Sequence, residues 1–154
     1  MHRLALLALL GATAFPAQAQ DRPYVEFLNT EAALAADLPF SQAVRVGDLV
    51  FLSGALGTVP GTVGLAPGGI EAESRQTMEN IATTLEAFGL GMEDVVKCTV
   101  MLVDIAEWPA FNAVYRTFFE PPFPARSAFA ASGLALGARV EVECIAAVPE
   151  AASE

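Results

Sequence analysis

Arg139-Val140-Glu141-Val142-Glu143-Cys144-Ile145-Ala146 reads as a strand, because its alternation puts Glu141 and Glu143 on one face and Val142 and Cys144 on the other. Working back from it, a glycine-containing turn separates it from a second strand-like run at 127–131. Pro109 opens a helix that runs to Phe119, with Phe111, Val114, Tyr115 and Phe118 as its core face, and Pro121-Pro122 end it. Residues 95–103 are nearly continuously apolar, which predicts a strand buried on both faces. The clearest helix spans 71–88. Met78, Ile81, Leu85 and Phe88 share its stripe, Gly89 stands at its stop, and Glu71 and Glu73 suit its N-terminal dipole. Further back, 41–46 and 49–53 flank Gly47-Asp48 as a hairpin, and 24–28 reads as a short strand. Between them 30–36 is an alanine-rich connector. Residues 54–69, with six glycines and two prolines and no apolar periodicity, read as a loop.

The order is two or three strands, helix, strand, helix, two strands. A single sheet with two helices on one face satisfies it, an α+β layer architecture. The opposite sheet face is then left without a cover from this chain. Other copies of the chain are the simplest cover for so apolar a sequence, in which 54% of residues are hydrophobic.

The first nineteen residues read as an address. His2 and Arg3 give a positive start, 4–14 are almost wholly apolar, Pro16 breaks the run and Ala17-Gln18-Ala19 is an A-x-A cleavage site. The apolar run is too short for a permanent membrane span. The expected mature protein therefore begins at Gln20, is free of the membrane and is periplasmic or secreted. It retains about 135 residues, enough for one domain. The division is 1–19 leader, 20–37 N-terminal segment, 38–148 domain and 149–154 tail.

Eighteen Asp plus Glu against eight Lys plus Arg give a net charge of −10. Such a surface has no basic stripe for phosphates, so nucleic acid is not an expected partner. The only histidine, His2, falls in the leader, so the mature chain has no histidine catalyst or histidine metal site. No metal or organic cofactor is expected. Cys98 and Cys144 make no framework or CxxC motif and are read as two buried free thiols; a bridge requires that two sheet positions meet with suitable geometry.

The second informative segment is Phe123-Pro124-Ala125-Arg126-Ser127. Few side chains here are cationic, and Arg126 brings a rigid fork of donors suited to a carboxylate. Paired with Glu143 for proton transfer, it makes a minimal active site; the plainer alternative is a surface ion pair.

From Leu38 to Val148 the chain resembles the RidA, or YjgF, family of small trimeric enamine/imine deaminases. The resemblance is carried by Leu38-Pro39-Phe40-Ser41-Gln42, Leu52-Ser53-Gly54, Arg75-Gln76-Thr77-Met78-Glu79-Asn80, Val95-Val96-Lys97-Cys98-Thr99-Val100, Phe111-Asn112-Ala113-Val114-Tyr115, Phe118-Phe119, Phe123-Pro124-Ala125-Arg126-Ser127 and Val142-Glu143-Cys144-Ile145-Ala146. It implies a chorismate-mutase-like homotrimer with active sites in the clefts between subunits. It implies Arg126 as carboxylate anchor, helped by the backbone amide of Ala128, and Glu143 as the group that activates water. Phe40, Ser53, Gly54 and Asn112 would line or brace the cleft. Ser53 alternatively only bonds backbone at a strand end, and Asn112 alternatively ties down a loop. Phe111, Tyr115, Phe118 and Phe119 are read as core.

The chain also departs from the family pattern. Phe40 replaces a tyrosine, Ala55 a glutamine and Ala128 a cysteine, which leaves anchor and base intact in a more apolar cleft. The expected activity is cofactor-independent hydrolysis of 2-enamino or 2-imino acids to 2-keto acids and ammonia. The alternative is a non-catalytic protein of the same fold that binds a small carboxylate. Some relatives have been discussed as ribonucleases, an activity that the acidic composition argues against carrying over.

Overall fold

The computed structural model describes residues 23–149. The expected leader, its cleavage site and nearly all of the tail lie outside the described residues. In chain order the elements are β1 (Val25–Leu28), α1 (Glu31–Ala35), β2 (Ala43–Val46), β3 (Leu49–Leu52), β4 (Ala55–Leu56), α2 (Gly69–Ala87), β5 (Val95–Leu102), α3 (Trp108–Tyr115), β6 (Ala125–Ala130) and β7 (Val140–Ala147). One mixed sheet runs β1-β2-β3-β7-β5-β6, with the short β4 also pairing with β7. Only β5 and β6 are parallel, and parallel neighbours need a crossover, which α3 supplies. The α+β architecture expected from the element order is what forms.

Gly47, at φ 58°, turns the β2–β3 hairpin where a Cβ would be strained. The α2 stripe falls as expected, with Met78, Ile81 and Leu85 fully buried. The connector at 30–36 resolves as α1, whose N-cap Thr30 accepts a bond from the Ala33 amide at 3.3 Å. In α3 the core residues are Phe111, Val114 and Tyr115. The chain then tightens into a 3-10 turn over Arg116–Phe118, so that Phe119 is buried instead of Phe118.

Three expectations are corrected. The 54–69 segment is not simply loop. Asn80 on α2 donates to the Leu56 and Thr58 carbonyls at 2.9 Å each, and Thr58 bridges Leu65. Gly57 is required there, since a Cβ would stand 2.6 Å from the Glu73 carbonyl oxygen. Second, β5 is buried on one face only: Cys98, Val100 and Leu102 are enclosed, whereas Lys97, Thr99 and Met101 are half-exposed. Its continuous apolar character reflects a second surface that the helices of this chain do not cover.

Third, Cys98 and Cys144 are not free thiols but a disulfide. Strands β5 and β7 are sheet neighbours in a register that sets the two residues directly opposite, with Cα atoms 4.1 Å apart. The sequence marked both as buried in strands. It did not show that their strands were adjacent.

Helices α2 and α3 lie on the face that carries Val100, Leu102, Val140 and Val142. The opposite face presents Leu49, Phe51 and Phe129, all more than 40% exposed, around the row that contains Glu143. That is more apolar surface than scattered single residues would give.

Candidate functional site

Arg126 lies on β6, one of the two edge strands of the sheet, with its side chain on the helix-covered face beside Cys98 in register. Its guanidinium carbon sits 4.4 Å from the ring centre of Trp108 and 4.4 Å from that of Tyr115. One in-plane nitrogen donates to Asn112 Oδ1 at 2.9 Å. Trp108, Asn112 and Tyr115 follow at i, i+4 and i+7 along α3 and so share one stripe. Asn112 holds the arginine, which is a bracing contact, rather than tying down a loop.

Ala128 and Arg126 line the same cleft, with Ile105, Ala106, Trp108 and Pro109. The Ala131 amide donates to Leu102 on β5 at 2.7 Å. Backbone direction alternates along a strand, so the Ala128 amide points away from β5 toward the β6 edge. An outward amide beside a fixed guanidinium is an arrangement able to hold a carboxylate, and Ile105, Ala106, Trp108 and Pro109 complete its wall.

Glu143 sits elsewhere. Its strand alternation places it on the uncovered face, in a row with Thr99 of β5 and Ser127 of β6. On its other side Phe51 pairs with Ile145 but Ala55 pairs with Val142. The stretch between carries one residue more than β7 does, which is a bulge at Ser53-Gly54 facing Glu143. A Cβ at Gly54 would run into the Glu141 carboxylate, so the bare glycine leaves that side chain its place beside the bulge. Ser53 spends its hydroxyl on the Ser41 carbonyl at 2.7 Å, the backbone role that was its plainer reading. Ser53, Ser41 and Phe40 line a cleft beside this bulge together with Phe27, Leu34 and Leu38. Glu143 is exposed and takes no part in the single salt bridge among the described residues, which joins Arg139 to Glu107.

Six of the expected site residues and Glu143 thus fall into two groups. Arg126, Ala128 and Asn112 form one, on the helix side of the β6 edge. Glu143, Gly54, Ser53 and Phe40 form the other, around the bulge on the uncovered side. No single chain can present both groups to one small molecule. Tyr115 was read as core and missed as part of the site; burial raises its phenol pKa, partly opposed by the neighbouring Arg126 charge. Its hydroxyl is buried and unpaired. A polar Asn112 between aromatic residues on one helical stripe was the signal for this arrangement. No group of three or more potential metal ligands occurs among the described residues.

Comparison with known proteins matches residues 30–148 to the family model described as Endoribonuclease L-PSP. The chain is 44% identical over 119 residues to the goat (Capra hircus) protein named 2-iminobutanoate/2-iminopropanoate deaminase, covering 77% of this chain and 87% of that one. It is 41% identical over 121 residues to the Arabidopsis thaliana protein named Reactive Intermediate Deaminase A, chloroplastic, covering 79% of this chain and 65% of that longer one. Among solved structures it is similar to E. coli TdcF with bound serine, at 30% identity and a TM-score of 0.68, covering 73% of this chain and 90% of that one.

Proposed function

The chain belongs to the endoribonuclease L-PSP family, and from that premise we propose that it hydrolyses 2-enamino and 2-imino acids to 2-keto acids and ammonia. The reaction consumes one water: R–C(=NH)–COO⁻ + H₂O gives R–C(=O)–COO⁻ + NH₃. The imine carbon is already electrophilic, so the protein need only anchor the carboxylate, place a water and move protons. The observation that carries this is the arrangement of Arg126 and the outward Ala128 amide in one cleft. It suits a small molecule with one carboxylate, as the serine bound to TdcF is.

Glu143 takes a proton from the attacking water as the C–O bond forms. It gives that proton to the imine nitrogen, forming a carbinolamine, and then relays the carbinolamine's hydroxyl proton to the same nitrogen as the C=O forms, the C–N bond breaks and ammonia leaves. Because Arg126 and Glu143 occupy opposite faces, the working site draws its two groups from neighbouring copies. A closed homotrimer would cover the exposed Leu49, Phe51 and Phe129 and bring one copy's edge strand to another's bulge. The Cys98–Cys144 bridge and the Ala17-Gln18-Ala19 site both support export to an oxidising compartment, the periplasm or beyond. A net charge of −10 speaks against ribonuclease activity despite the family's name.

The test measures ammonia and keto-acid release from imines generated in situ by an amino-acid oxidase. Release above the uncatalysed rate, lost in Arg126→Ala and Glu143→Gln, is the expected result. Carboxylate binding that depends on Arg126 without turnover of any imine would leave a binding protein instead.

A further inference from the structure

Among the described residues, Arg126 is the only side chain whose guanidinium lies close to two aromatic ring centres, at 4.4 Å from each. We propose that Trp108, Tyr115 and Asn112 form a cage whose task is to position Arg126, so that its remaining in-plane donors meet a substrate carboxylate already aligned. This rests on Arg126 being the carboxylate anchor.

The chemistry of a guanidinium divides its surroundings into faces and edge. Its faces attract aromatic π-systems, and its edge carries five N–H donors in a fixed plane. Here two rings lie against it and Asn112 takes one edge donor. The other donors are left for the cleft that Arg126 shares with Ala128. The rings are themselves fixed from behind. Trp108 stacks on Phe111 at 5.8 Å, and Tyr115 contacts Phe119 at 4.7 Å, both partners being buried. A long side chain on an edge strand would otherwise have to be immobilised at each binding event, at a cost in rotamer freedom. The cage removes that cost before the ligand arrives. Trp108 also forms a wall of the substrate cleft, so it touches both the anchor and the space the ligand fills.

Trp108 is the sole tryptophan, which makes the cage observable. Its fluorescence in the full mature protein is titrated with 2-oxobutanoate, a stable 2-keto acid, while calorimetry gives the dissociation constant independently. In wild type and Glu143→Gln the emission shifts with the calorimetric constant, and in Arg126→Ala it does not shift at all. Trp108→Leu removes the π-face and weakens 2-oxobutanoate by about 3- to 30-fold, and in imine turnover the loss falls on KM rather than kcat. Trp108→Phe restores most of that affinity because it restores a ring face.

Calorimetric binding to wild type with a silent Trp108, or Trp108→Leu binding as tightly as wild type, overturns the cage while leaving the anchor standing. Equal losses in Trp108→Leu and Trp108→Phe overturn it as well, since a ring face would not be what matters. Failure of wild type to bind any 2-keto acid removes the anchor, and the cage's purpose with it.

Discussion

Replacing both cysteines by alanine removes the bridge that joins the strand of Glu143 to the strand beside Arg126. The two residues are 46 apart in sequence, so the bridge closes a long loop in the unfolded chain. The chain-entropy relation for a loop of that length gives about 4 kcal/mol at 25 °C. Both sulfurs are almost wholly buried and sit in the core, so loss of packing adds to that figure. With a urea dependence of about 2 kcal/mol per molar, typical of a small protein, the midpoint should fall by about 2 M. Unfolding is followed by Trp108 fluorescence at one fixed protein concentration, for wild type, for wild type refolded under reductant, and for Cys98→Ala/Cys144→Ala. The second and third samples should both fall below the first, and the third further than the second, because only the alanine variant also loses the packing of two buried sulfurs. Two titratable thiols in unreduced, denatured wild type, or a midpoint indifferent to reductant, would refute the reasoning.

Arg126→Lys should fail nearly as badly as Arg126→Ala in 2-oxobutanoate calorimetry, since an ammonium keeps the charge but loses one of two charge-assisted bonds, roughly a 10- to 150-fold effect. Glu143→Gln should keep 2-oxobutanoate affinity while turnover of oxidase-generated imines falls by roughly 10²- to 10⁴-fold. Phe40→Tyr returns a hydroxyl to the cleft beside the bulge, and ratios of kcat/KM across a set of imines should move toward smaller or more polar side chains. N-terminal sequencing of the exported protein should begin at Gln20, and an intact chain recovered from the cytoplasm would contradict export.

Much of the architecture was legible because the alternation at 139–146, the 3.6-residue stripe at 71–88 and Pro109 are local signals that tertiary contacts did not override. The disulfide was not legible, because strand adjacency is a long-range property: Cys98 and Cys144 pair only through the placement of β7 between β3 and β5. The uncovered face was legible in outline from the missing cover. The apolar run of β5 misled because a strand with helices on one face and uncovered apolar residues on the other reads in sequence like one buried on both faces. Arg126 and Glu143 could be picked out by residue type and resemblance, but their separation onto opposite faces follows from the parallel β5–β6 register. Tyr115 and Trp108 were obscured because one helical stripe serves both core and site.

A site built from two neighbouring copies can be tested by complementation. Arg126→Ala and Glu143→Gln chains, each inactive alone, are co-expressed in equal amounts and assayed for imine hydrolysis as mixed assemblies. An interface that takes Arg126 from one variant and Glu143 from the other is intact, and random mixing makes about one interface in four of that kind, so about a quarter of wild-type activity should return. A mixture no more active than either variant alone would contradict it.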